Sequence, residues 1–276
     1  MKRIGKSTLE FDRPPTILSQ AAVGGKKEAE GPLGGELDQT FGDTTLGQDG
    51  ACSTMAQTLL LAAVLVESGA ARRALAVTSS HFCSAERQFR LPLEYGGQRS
   101  PTAQWTATAA GCALVGLGGR VRVRRGLAGK IRDLGVKDTA NMGAAMAPAA
   151  ASSIFEFLQD TATQPQDYDG IFTGDLGAVG SQLLYQCLDD NRVDLRPVHQ
   201  DCGLLLYNRQ SQDVHAGGSG CGCSASVLCG HLLRRMERGE LKNILFCATG
   251  ALMSPTSSQQ GQSIPGVCHV VQLTTA

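Results

Sequence analysis

A cysteine between small residues, in the run Gly50-Ala51-Cys52-Ser53-Thr54-Met55, stands at the mouth of an apolar helical stretch. Unpaired N–H groups and the positive end of a helix dipole favour a thiolate there, so Cys52 is a candidate nucleophile. The competing reading is a small side chain that simply packs tightly. A nucleophile needs a base, and the five histidines, His81, His199, His215, His231 and His269, have no diagnostic spacing. His81 follows an expected strand, and His215 precedes Ala216-Gly217-Gly218-Ser219-Gly220, so either could edge a pocket or be structural. His231, beside Leu232-Leu233, reads as an ordinary helix residue. In Ala85-Glu86-Arg87-Gln88-Phe89-Arg90, a helix would set Arg87 and Arg90 one turn apart, able to converge on a carboxylate or phosphate. The alternative is a solvated helix face with Glu86 as neighbour.

The cysteine signature recurs at Gly220-Cys221-Gly222-Cys223-Ser224-Ala225. Laying Cys52-Ser53 on Cys223-Ser224 gives, in both copies, a helical stretch, a glycine (Gly69, Gly239), a basic residue (Arg72, Lys242) and an apolar strand. The strands are Ala74 to Thr78 and Ile244 to Ala248, ending in Ser79-Ser80 and Thr249-Gly250. This order of elements predicts a duplicated fold.

Residues 1–49, punctuated by Pro14-Pro15, Gly24-Gly25 and Gly34-Gly35, read as an irregular arm with one short strand around Thr16 to Ala21. Thr54 to Val66 reads as a helix apolar on all sides and therefore central. Ser84 to Arg90 reads as a short charged helix, and Trp105 to Leu117 with Val121 to Val123 as a strand pair around Gly118-Gly119. A helix is expected from Met146 to Leu158 with Pro148 in its first turn, another at Ser181 to Leu188, and strands at Tyr168 to Thr173 and Gly203 to Tyr207. The alternation predicts an α/β fold.

With 276 residues, 42% of them apolar, the chain can fill a large core. Its formal net charge is zero and no basic run appears, which argues against a nucleic-acid partner. Met1-Lys2-Arg3 leads into no apolar stretch, so no secretory signal is expected, and the run Leu59 to Val66 is too short to span a bilayer. Ten cysteines without small-domain spacing point to reduced thiols. Cys221 and Cys223 lack a second ligand pair, so neither a metal nor a cofactor is expected.

These motifs resemble the thiolase-like superfamily, whose two similar halves each bury a helix and whose first-half helix begins at the nucleophilic cysteine. Within it the chain resembles the stage V sporulation protein AD family. The segments Gly31-Pro32-Leu33, Thr78-Ser79-Ser80-His81, Ala85 to Arg90, Glu94-Tyr95-Gly96-Gly97-Gln98, Met142 to Ala150, Thr173-Gly174-Asp175-Leu176 and Asp201-Cys202-Gly203 carry that likeness. The resemblance implies duplicated αβαβα layers and binding of dipicolinic acid, a pyridine flanked by two carboxylates. It also implies work at the cytoplasmic face of the forespore or spore inner membrane, beside membrane channel proteins of the same operon, and a possible homodimer. The ligand residues it suggests are Cys52, Ser53, His81, Arg87, Arg90, Asp175, Gly218, Ser219 and Gly220.

Three departures qualify the likeness. Ser219 stands where thiolases carry the histidine of Gly-His-Pro, and Gly174-Asp175 stands where ketoacyl synthases place a histidine. Cys52 is therefore expected to line a pocket without turnover. The alternatives are a thiolase-like acyltransferase using Cys52, or a scaffold with a vestigial pocket. The third departure is length: Leu46-Gly47-Gln48-Asp49 runs straight into Gly50, where the family has a helix, strand, helix and strand. Roughly 50 to 60 residues are expected to be missing at this seam. The expected division is an arm (1–49), a truncated first half (50–130) and a second half (131–276), with the first half exposing apolar surface.

Overall fold

The computed structural model describes residues 1–41, 52–83 and 99–275. It opens with β1 (Lys2–Ile4), β2 (Thr8–Glu10), β3 (Thr16–Gly25), a single turn α1 (Lys26–Ala29) and β4 (Gln39–Phe41). Helix α2 (Thr54–Glu67) leads to β5 (Ala74–Ser80), followed by β6 (Trp105–Thr106), β7 (Ala109–Gly116) and β8 (Val121–Leu127). Next come α3 (Met142–Thr161), β9 (Gly170–Thr173), α4 (Gly177–Asp189), β10 (His199–Asp201), α5 (Cys202–Leu206) and β11 (Gly218–Ser219). A π-helical turn (Val227–Leu232) joins α6 (Cys221–Ser226) to α7 (Leu233–Glu237), ahead of β12 (Asn243–Ala251), α8 (Pro255–Gln259) and β13 (Gly266–Thr275).

The main sheet runs β10-β9-β12-β13-β8-β3-β7-β5, with β1, β2 and β4 attached beside this path and β6 pairing separately with β11. Two half-sheets meet in it at a corner, where Thr16 and Ile17 of β3 pair with Arg122 and Val121 of β8. In the second half, β12 lies parallel to β9 and antiparallel to β13, which is antiparallel to β8. In the first, β7 is antiparallel to both β5 and β3. Thus β5, β7 and β3 repeat β12, β13 and β8, and α2 repeats the α6–α7 helix. Both helices close on a glycine at φ +79°, Gly69 and Gly239, whose N–H groups reach Val66 O (3.2 Å) and Met236 O (3.0 Å). A left-handed residue just beyond the helix end costs glycine no Cβ clash.

The repeat sets the layers. Helix α2 lies between half-sheets: Met55, Leu59 and Ala63 share one core with Ala76 and Ala113 of the first and Phe246 and Val271 of the second. Gln57, Leu61 and Leu65, by contrast, line a face that stays exposed, so the helix is not buried on all sides as its composition predicts. On the far side of the second half-sheet, α3 and α4 form an outer layer in which Ile154, Phe157 and Leu184 pack on Leu245, Cys247 and Val270.

Four local expectations are corrected. The arm is not irregular: it forms β1–β4 and α1, its strand β3 is longer than Thr16–Ala21 and belongs to the first half-sheet between β8 and β7, and β8, before residue 131, already belongs to the second. The strands around Gly118-Gly119 form but do not pair, because β7 and β8 enter different half-sheets; a Cβ on Gly119 would lie 2.2 Å from Ile17 O, so only glycine permits that crossing. Residues 203–207 are largely helical, not a strand. Five apolar residues carry no period that separates a strand from a buried helical turn, and Gly203 packs so closely on Gly218 that a Cβ would lie 2.3 Å from its carbonyl oxygen. Helix α3 starts before Met146, because the Asn141 side chain accepts from Ala144 N (3.3 Å), which leaves Pro148 inside the helix. The helix expected at Ser84 to Arg90 lies outside the described residues, as does the Asp49/Gly50 seam.

The first half lacks what the repeat would supply. Beyond β12 the sheet continues to β9 and β10, whereas β5 has no strand on its second edge among the described residues. Leu75 and Val77 on its outer face are 60% and 48% exposed, while Leu245 and Cys247 in the matching places are fully buried. The tight seat of the central helices is testable. A Cβ on Gly111 of β7 would lie 2.4 Å from Ala225 O of α6, so Gly111→Ala should lower stability by about 1–3 kcal/mol. An unchanged urea midpoint would contradict that packing.

Candidate functional site

Asp175, in the loop between β9 and α4, is wholly buried. Its carboxylate accepts from Thr249 Oγ1 (2.7 Å), Gly220 N (3.0 Å) and Ser219 Oγ (3.1 Å), and from the Cys52 thiol. Its own N–H donates to Thr249 Oγ1 (3.2 Å), and its carbonyl accepts from Gln104 Nε2 (2.7 Å). Burial pushes the Asp175 pKa up, against the pull of the donors around it. Three segments distant in sequence, those of Cys52, Ser219-Gly220 and Thr249, therefore close on one carboxylate.

Glycines allow this approach. Gly250, at the end of β12, lies where a Cβ would be 3.1 Å from Ser53 N, so the cysteine loop of the first half seats on a strand end of the second. The converse also holds. Ser80, ending β5, accepts from Gly222 N (2.9 Å) and donates to Ala107 O (2.7 Å), while Cys221 Sγ donates to Ser79 O (2.8 Å). Gly220 turns at φ +96°, which a side chain would resist.

A second buried network lies behind Asp175. Asp201 accepts from Thr173 Oγ1 (2.7 Å) and from the N–H groups of Leu176 (2.8 Å) and Gly177 (3.0 Å) at the start of α4, where a carboxylate complements the helix dipole. Because Thr173 donates to Asp201, its oxygen accepts from His199 Nε2 (2.8 Å), and His199 Nδ1 then accepts from Tyr185 OH (2.8 Å). Burial raises Asp201 to about 6 and lowers His199 to about 4.

The densest grouping of cations and aromatics stands elsewhere, along a cavity of about 490 Å³ lined by Lys27, Glu28, Phe82, Trp105, Thr108 and Asp213, among others. Phe82 stacks on Trp105 at 3.8 Å; Lys27 Nζ lies 3.4 Å and the Arg99 guanidinium carbon 4.6 Å from the Trp105 ring centre. Both cations donate to Asp213 O (2.9 and 2.8 Å). Burial, then the Arg99 charge, lowers the Lys27 pKa. Arg99 Nη1 is buried without a hydrogen-bond partner among the described residues.

The structure thus brings together Cys52, Ser53, Asp175, Gly218, Ser219 and Gly220. Arg87 and Arg90 lie outside the described residues. His81 is buried past the end of β5, and its Nδ1 accepts from Cys83 N (3.2 Å). His215 bridges Ser100 O and Asp213, His231 pairs with Glu36, and His269 accepts from Gly129 N. Sequence reasoning assigned no role to Thr249, although it ends the repeated strand. It also passed over Gln104, Trp105, Lys27 and Arg99, which no local motif distinguishes.

Two repeated α/β halves, each with a helix buried between half-sheets and a cysteine loop seated on the other half, define a thiolase-like protein. Cerulenin-bound OleA of Xanthomonas campestris shares this fold, with a TM-score of 0.50 and 14% identity over 87% of this chain and 68% of that one. 3-Oxoacyl-[acyl-carrier-protein] synthase III of Aquifex aeolicus gives 0.49 and 13% over 82% of this chain, which spans only 65% of that enzyme. The family model for stage V sporulation protein AD (SpoVAD) matches residues 5–50 and 45–274. Stage V sporulation protein AD of Bacillus subtilis (strain 168) is 36% identical, covering 98% of this chain and 97% of the relative. The chain belongs to the SpoVAD family. That alignment runs over 330 positions against 276 residues here, so at least 54 positions face a gap in this chain, and the family match breaks at 45–50.

The buried network has a pH signature. Asp201, raised to about 6, adds stability that is full below the usual carboxylate pKa of 3.8 and is lost as pH rises through 6. His199, lowered to about 4, adds stability that is full above 6.5 and is lost as pH falls through 4. Relative to the parent, Asp201→Asn should lose stability on acidification from pH 6.5 to 4 and His199→Gln should gain it, measured by urea unfolding. Shifts of the same sign in both variants would contradict the network.

Proposed function

We propose that this chain is a non-catalytic dipicolinic acid-binding component of the spore uptake machinery. In this reading it works at the cytoplasmic face of the inner membrane, beside the channel proteins of its operon. Membership of the sporulation family supports the setting. No described helix is long and apolar enough to cross a membrane, so attachment there would be peripheral.

The observation that carries the ligand is the pairing of flat rings with cations beside the 490 Å³ cavity, where Phe82 stacks on Trp105 and both Lys27 and Arg99 lie over the Trp105 ring. A planar dianion matches that chemistry, and Arg87 and Arg90 add to the cationic inventory of the chain. Around Cys52 the surroundings are different: its thiol donates to Asp175, and Ser219 and Asp175 stand where the resemblance implies the superfamily's imidazoles. A carboxylate already engaged by hydroxyl and amide donors suits a fixed wall better than a proton shuttle. The same thiol–carboxylate contact is what favours the second reading, slow acyl transfer to Cys52 with Asp175 as proton acceptor.

Calorimetry should show dipicolinate binding to the parent, weakened about tenfold or more in Arg87→Ala and in Lys27→Ala, as expected for loss of a charge-assisted contact. No binding by a folded parent would overturn the ligand assignment and favour a scaffold. Sustained acetyl-CoA thiolysis that disappears in Cys52→Ala would overturn the non-catalytic assignment.

A further inference from the structure

On the bare side of its first half, the molecule carries its own pattern for what is missing. The repeat sets Ala74–Val77 of β5 on Ile244–Cys247 of β12, the four residues that pair in parallel with Gly170–Thr173 of β9. Over β12 and β13, an outer layer of helices seals Leu245, Cys247 and Val270. Over β5 and β7 the same face shows Leu75 and Val77 at 60% and 48% exposure, beside their half-buried partners Leu114 and Cys112.

Among the described residues, no strand covers the edge of β5. Sheet edges are ordinarily blunted by charge, proline, a bulge or shortness. At the far end of the sheet β10 follows that rule, with three residues that include His199 and Asp201. Strand β5 has seven residues, Ala-Leu-Ala-Val-Thr-Ser-Ser, without charge or proline. Its composition is that of an interior strand.

We propose that the Ala74–Val77 edge of β5, which no strand covers among the described residues, and the outer face around Leu75 and Val77 bind a separate polypeptide carrying the absent unit. Its strand would lie parallel to β5 in the register that β9 takes on β12, with flanking helices laid across Leu75 and Val77. The size of the gap supports this occupant. At least 54 aligned positions of the Bacillus subtilis relative face no residue here, and the family match breaks at 45–50, just before α2. Two strand–helix units need about that many residues, and α3, β9, α4 and β10 stand at the corresponding place before α6. A second copy of this chain fits less well. Two-fold symmetry would pair β5 with β5 antiparallel, and edge pairing alone leaves side chains that point out of the sheet plane uncovered.

The test expresses, as a separate polypeptide, the segment of the Bacillus subtilis relative that faces the gap and titrates it into the full chain. Light scattering should show a one-to-one complex, and amide exchange should slow at 74–80 while β12 and β13 stay as protected as before. Leu75→Lys with Val77→Lys should weaken binding at least about tenfold, as expected for losing two buried apolar side chains, while Leu134→Lys, at an exposed loop position, should leave it unchanged. Binding indifferent to the β5 substitutions would overturn the proposal, as would a parent dimer whose own contact protects β5. An isolated segment that does not bind the full chain would overturn the proposal as well, whatever protection the same segment gives β5 when inserted between Asp49 and Gly50.

Discussion

A carboxylate sealed from water has to find hydrogen bonds for its oxygens inside the protein, and Asp175 is such a group at the meeting point of both halves. Its donors come from the Cys52 turn, the Ser219-Gly220 loop and Thr249 at the end of β12. Removing any one of them would leave acceptor capacity unmet in a low-dielectric site. The positions of the cysteine loop, the glycine loop and the strand end are consequently interdependent. Asp201 steadies the same loop from behind by holding the first N–H groups of α4.

That convergence needs close backbone approach, and glycines provide it where the halves cross. Gly250 admits the Ser53 turn, and Gly222 and Gly220 admit the end of β5. Gly111 and Gly230 let the α6–α7 helix sit against β7 and β3. The crossing is reciprocal, with each half's loop seated on a strand end of the other. The second half can therefore hold the Cys52 loop in place although the first half is short of strands. The sheet corner at Thr16 and Ile17 adds a second tie between the halves.

The asymmetry between halves has a chemical counterpart. Around Cys52 the polar groups are saturated by one another, an arrangement suited to rigidity. The cations lie instead around Trp105, where Lys27 and Arg99 share the Asp213 carbonyl and Arg99 also pairs with the Asp213 carboxylate (3.3 Å). The Trp105 ring of β6 thus stands between a locked polar core and a cation-lined wall. Because β6 pairs with β11 at Gly218-Ser219, the two regions are mechanically connected.

Much of this was legible in the residues. The repeat of cysteine loop, apolar helix, glycine and strand is a local pattern, and Gly69 and Gly239 take the same left-handed turn because each follows a helix end. The apolar run of α2 announced a central layer, although its Leu61 and Leu65 stay exposed, and the direct run from Asp49 into Gly50, set against the family resemblance, announced an incomplete half. Local pattern failed where tertiary contact decided. Residues 203–207 are helical because Gly203 meets Gly218, and β7 and β8 part because β3 intervenes at Gly119. Sequence alone determined most of the elements and their duplication, since these follow from periodicity and order, and the likeness to the family added that a segment is absent. Only the tertiary structure decided that Asp175 would hold Cys52, that Trp105 would gather Lys27 and Arg99, and that Leu75 and Val77 would stand uncovered. Those outcomes depend on distances between segments that are far apart along the chain.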